Sequence, residues 1–79
     1  MTSEELEKRI RAEGIPITPA GLLRERAAAR VLGVAQRTLR EWRLAEKPPP
    51  WHKLSGNIWY NVADLAAFLT SGRREPPSS

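Results

Sequence analysis

Large apolar residues are scarce at the start of the chain, where Leu6 and Ile10 stand one helical turn apart among charged neighbours. That spacing predicts a helix over about 3–13, capped by Thr2 or Ser3, with Glu5 completing a capping box from Thr2. Gly14 and then Pro16 stop it. So thin a stripe favours a loosely attached helix over a dimerisation surface. The segment GIPITPAGL reads as a linker, although Thr18-Pro19 also suits a helix start. Beyond it, Ala28, Val31 and Leu32 share a helical face with Leu22 or Leu23, and Gly33 ends that helix.

A second helix of this pair is predicted over about 35–46. At about 100° per residue, Ala35, Thr38, Leu39 and Trp42 gather on one side as its buried stripe. The prolines of KPPP then force the chain out of helical conformation. WHKL and IWY, rich in β-formers, flank SGN and read as a hairpin with a three-residue loop. Leu54, Ile58 and Tyr60 are expected on its inner face, with Trp51 and Trp59 stacked across the strands. Asn61 caps a last helix, VADLAAFL, which carries Asp64 in its first turn and turns Leu65, Phe68 and Leu69 inward. TSGRREPPSS reads as a disordered polar tail. The expected organisation is an N-terminal helix and linker over 1–19, a folded unit over 20–70 and a tail over 71–79. Its class is mainly α with a small β-hairpin and an extra N-terminal helix.

Composition narrows the chemistry. The 79 residues include no cysteine, and the one histidine, His52, leaves no His/His or His/Cys cluster, so neither a metal nor a cofactor is expected. A chain of this length makes one small domain with little volume for a closed pocket. His52 and Ser55 have no carboxylate neighbour in sequence to orient a triad, and the glycines form no phosphate loop, so enzyme activity is not expected. No run approaches the roughly 18 apolar residues of a membrane span, and the acidic MTSEELEK is not a signal peptide. A soluble, cytoplasmic protein without a membrane partner is the expectation.

Charge is unevenly placed. The net charge of +4 divides into −1 over residues 1–13 and +5 over residues 24–53. On the helix predicted over 35–46, Gln36, Arg37, Arg40 and Lys47 lie opposite the Leu39/Trp42 stripe, with Arg43 at one edge and Glu41 beyond the other. A merely solvated face usually interleaves Glu with Lys at i,i+4, and this face carries no acid. Arginine also forks onto phosphates and guanine edges. A polyanionic partner follows, with nucleic acid the commonest kind.

LLRERAAARVLGVAQRTLREWR, followed by PPPWHKLSGNIWYNVADLAAFL, resembles the excisionase/MerR-type winged helix-turn-helix family over about residues 22–70. The shared features are a leucine pair, an Ala-rich helix, Leu-Gly-Val, a helix with Thr-Leu and Trp-Arg, a hairpin with a Gly-containing tip, and an Asp-Leu helix ending Phe-Leu. The resemblance implies sequence-selective binding of double-stranded DNA, with the helix over 35–46 in the major groove and the hairpin as a wing. It implies that Gln36, Arg37 and Arg40 face base edges or nearby phosphates, and that Arg43 and Lys47 lie nearer the backbone. The wing either contacts DNA through Lys53, Asn57, Ser55 and backbone N–H groups or contributes little. It further implies a phage or mobile-element excisionase-like factor or a small transcriptional regulator, binding as a monomer or with cooperative self-association on repeated sites. No small-molecule effector is expected, because the chain stops short of the dimerisation helix and effector domain of MerR-type regulators. Three positions depart from the pattern. Ala35 replaces the usual hydroxyl residue, Arg24 stands where a small cap is typical, and the wing tip has no arginine. The alternative is a protein-interaction or DNA-packaging adaptor module, resembling a terminase small subunit; an adaptor using the Trp51/Trp59 patch belongs to the same class.

Overall fold

Helix α1 (Ser3–Ala12) begins at the capping box that the sequence announces: the Thr2 hydroxyl accepts from the Glu5 N–H at 3.1 Å, and the Glu5 carboxylate accepts from the Thr2 N–H at 3.0 Å. The computed structural model describes residues 2–74, with side chains through Ser71. At the end of α1 the chain turns at Gly14, and the Ile15 N–H donates to the Ile10 carbonyl. This brings Ile15 into line with Leu6 and Ile10, and all three are buried. The loosely attached helix expected from two apolar residues is therefore corrected. The stripe continues past the helix, and α1 packs against the last helix as part of the core.

A short strand, β1 (Leu22–Arg24), follows where the sequence suggested linker and helix. Three residues carry too little periodicity to reveal a strand. Its partner is remote, with Leu22, Leu23 and Arg24 facing Asn61, Tyr60 and Trp59 in an antiparallel register. Gly21 sets the entry. Its φ is +83°, its carbonyl accepts from the Val62 N–H at 2.8 Å, and a Cβ there would stand 3.1 Å from the Val62 Cγ1. A non-glycine residue would meet both a left-handed backbone and a crowded neighbour.

Helices α2 (Glu25–Leu32) and α3 (Gln36–Leu44) are separated by Gly33, Val34 and Ala35. Gly33 is left-handed, and the Val34 N–H reaches back to the Ala29 carbonyl, closing α2 as a Schellman turn. Ala27, Ala28 and Ala29 are buried and let the neighbouring elements approach closely. Leu39 is fully buried and anchors α3, whereas Trp42 is only half-buried, its ring centroid 5.9 Å from that of Phe68. Glu46 (φ +59°) closes α3 by the same device, the Lys47 N–H donating to the Trp42 carbonyl.

Strands β2 (His52–Leu54) and β3 (Asn57–Asn61) form the hairpin, and β3 is central in a sheet of order β1-β3-β2. The turn has two residues rather than three: Ser55 and Gly56 both have positive φ, and Leu54 faces Asn57. That difference of one residue moves a side chain to the other face. Lys53, not Leu54, is opposite Ile58, so Leu54 is 48% exposed instead of inward. Ile58 and Tyr60 do turn inward, Tyr60 completely. The expected Trp51–Trp59 stack is absent: His52, not Trp51, faces Trp59, and each indole has an arginine against it, Arg43 for Trp51 and Arg24 for Trp59.

Helix α4 (Val62–Arg74) starts with the Asn61 side chain accepting from the Ala63 N–H at 2.7 Å. It continues through residues 71–74, where a disordered tail was expected; residues 75–79 lie outside the described part. Among the described residues the architecture is thus four helices and a three-stranded antiparallel sheet around Leu23, Leu39, Tyr60, Leu65 and Ile10. Among the described residues no helix is long and apolar enough to cross a membrane.

Candidate nucleic-acid interface

The buried Leu39 turns the opposite side of α3 to solvent, and Gln36, Arg37 and Arg40 are all exposed there. Ala35 ends up as the cap, without a side-chain hydrogen bond to the first turn. Glu41 lies closer to this set than helical projection suggested. Its carboxylate is 3.7 Å from Arg37 Nε, with side-chain exposures of 66% and 87%. The basic face is therefore flanked by an acid, in an exposed pair of the weak kind.

Arg43 belongs elsewhere. Its guanidinium forks onto Glu25, Nε to Oε2 at 2.8 Å and Nη2 to Oε1 at 3.4 Å, and the Tyr60 hydroxyl donates to the same Oε2 at 3.2 Å. The guanidinium also lies over Trp51, 5.7 Å from the ring centroid. The hydrogen bond to Glu25 raises the Arg43 pKa against the opposing effect of burial. Burial first, and then the Glu25 charge and hydrogen bond, push Tyr60 up to about 12. The network joins the start of α2, the end of α3 and the centre of the sheet. No sequence signal links Glu25 to Arg43, because the two are far apart along the chain.

The hairpin tip approaches the start of α3. Gln36, Arg24, Glu25, Arg26, Gly56, Asn57 and Ile58 line a cleft of about 280 Å³. Arg24 leaves β1 to lie over Trp59, 5.3 Å from the ring centroid, and its Nη2 donates to Asn57 Oδ1 at 3.3 Å. Arg24 and Arg26 also border a second hollow of about 470 Å³ with Arg30. These three arginines were not among the sequence-derived contacts. The i,i+4 spacing of Arg26 and Arg30 opposite the alanines of α2 was a usable signal; Arg24 was hidden by the unrecognised strand.

The remaining expected residues are more dispersed. Lys53 is exposed on the edge strand, on the Ile58 side of the sheet. Lys47 lies past the end of α3 in a hollow of about 480 Å³ with Pro48–Pro50 and Trp51, not at the cleft. The structure thus brings Gln36 and Asn57 together, leaves Arg37 and Arg40 exposed on the same helix as Gln36, and sets Arg43 and Lys47 apart. Comparison with protein-family models, curated proteins and solved structures finds no match to this chain.

Proposed function

We propose that this protein binds double-stranded DNA sequence-selectively through a winged helix-turn-helix surface. In this reading α2, the Gly33 turn and α3 form the helix-turn-helix, α3 enters the major groove, and the β2–β3 hairpin is the wing. Gln36, Arg37 and Arg40 read base edges or adjacent phosphates, while Asn57 and Lys53 serve the wing; Arg43 acts inside the fold. The observation that carries the proposal is the shared cleft. Gln36 at the head of α3 and Asn57 at the hairpin tip border one depression with Arg24, Arg26 and Glu25, and Arg43 takes up the Glu25 carboxylate, so two exposed arginines lie between helix and hairpin. The resemblance to excisionase/MerR-type proteins extends the proposal to a phage or mobile-element recombination factor or a small regulator, with cooperative self-association on repeated sites. It assigns no catalytic chemistry.

The second reading is a protein-interaction or packaging adaptor, favoured by the exposure of Leu44, Trp51 and Leu54. Binding to generic duplex DNA across a salt series separates the two. A surface neutralising about 4–6 phosphates loses affinity with a log–log slope near −0.9 per phosphate. A flat or absent response favours the adaptor. Selection of bound fragments from a random duplex pool then reads out the sequence preference.

A further inference from the structure

Resting on the DNA-binding reading, we infer that Arg24 supplies the hairpin with the cation its own tip lacks, and that Arg24 and Arg26 together hold one backbone phosphodiester between α3 and the hairpin. The tip is Ser55-Gly56, and the nearest hairpin cation, Lys53, pairs opposite Ile58 on the other face from Asn57. Arg24 instead arrives from the neighbouring strand. Its register opposite Trp59 sets the guanidinium over the indole, and the donation from Nη2 to Asn57 Oδ1 fixes its direction. Asn57 occupies one of the five guanidinium donors, so the fork retains donors for an anion. Holding a planar cation against a ring also reduces the freedom it must lose on binding.

The charge balance of the cleft supports the same conclusion. Its one acid is Glu25, and that carboxylate is 12% exposed and engaged by Arg43 and the Tyr60 hydroxyl. Arg24 and Arg26 therefore act on an anion with little opposition. Gln36 offers an uncharged amide across the cleft, suited to a phosphate oxygen or to the edge of the adjoining base.

The test measures binding of the full chain to a generic DNA duplex at several salt concentrations. R24Q keeps a stem over Trp59 and removes the charge; R24A is the second variant, and thermal melting confirms that the variants fold. Loss of Arg24 charge is expected to weaken binding about three- to tenfold at low salt and to lower the log–log slope by about 0.9. R24K restores the slope. Arg9→Ala, an equal charge change on α1, leaves the slope as it was. An unaltered slope in R24Q and R24A, or an equal loss from Arg9→Ala, overturns the inference while the DNA reading stands. Failure of the unaltered chain to bind any duplex overturns both.

Discussion

The Arg43 guanidinium and the Glu25 carboxylate meet at 2.8 Å, joining the last turn of α3 to the first residue of α2 with both side chains 15% exposed or less. Removing one partner leaves the other desolvated without its counter-charge, which is costlier than never burying the pair. Arg43→Ala also uncovers Trp51. It is expected to lower the unfolding free energy by about 2 kcal/mol, somewhat below the range for fully buried pairs. Urea denaturation measures the change. A loss no larger than that from Arg30→Ala, on the exposed side of α2, would show that the fork contributes nothing beyond surface charge.

Tyr60 is the chain's one tyrosine, so the pH-dependent change in tyrosinate absorbance, read over the constant background of the three tryptophans, reports its ionisation alone. Buried against Glu25, it is expected to titrate near 12 in the folded protein and near the ordinary value of about 10 in denaturant. The sign follows from proton counting. Between those two values the folded state holds the proton and the unfolded state has released it, so stability is fully present below about pH 10 and falls as pH rises towards 12. Tyr60→Phe removes this alkaline loss. A folded protein whose tyrosine ionises at the denatured value would contradict the burial and the Glu25 contact together.

Gly21 is expected to tolerate no side chain. Gly21→Ala places a Cβ 3.1 Å from the Val62 Cγ1 in a backbone with φ +83°. The left-handed conformation alone costs about 1–2 kcal/mol for a non-glycine residue, and the contact adds to it. A drop in unfolding free energy of about 2 kcal/mol, read by thermal or urea denaturation, is the expected result. Gly14→Ala is the useful comparison. Its φ is +75° with no heavy atom within 4 Å of the added Cβ, so its loss should be smaller.

Local signals along the chain located each helix, because caps and stripes act over a few residues, but they missed the continuation of α4 through residues 71–74. Thr2 and Glu5, Gly33, and Asn61 each did what their positions imply. Pairings across the fold were not legible. β1 exists because Leu23 meets Tyr60, a contact that no local pattern encodes. The hairpin was recognised but misregistered by one residue, which exchanged Leu54 for Lys53 on the inner face. The candidate surface divides in the same way. Gln36, Arg37 and Arg40 followed from helical period alone, whereas Arg24 and the commitment of Arg43 to Glu25 depend on contacts between distant segments.

Arg37 and Arg40 give the sharpest test of the exposed face of α3. If they read base edges, Arg37→Ala and Arg40→Ala should each reduce discrimination between the selected duplex and a scrambled one by about 1–3 kcal/mol, the worth of a bidentate contact. Thermal stability should stay close to that of the unaltered chain, since both side chains are exposed and Leu39 anchors the helix from the other side. Glu41 supplies an internal check. Its carboxylate sits 3.7 Å from Arg37; under the proposed DNA-binding reading it would compete with the duplex for that guanidinium, so Glu41→Gln should then tighten duplex binding. The gain should disappear when Arg37→Ala is also present, because the competition then has no object. A gain that persists in the double variant would assign the effect to general charge, and equal weakening of selected and scrambled duplexes by Arg37→Ala would make Arg37 a phosphate contact rather than a base reader.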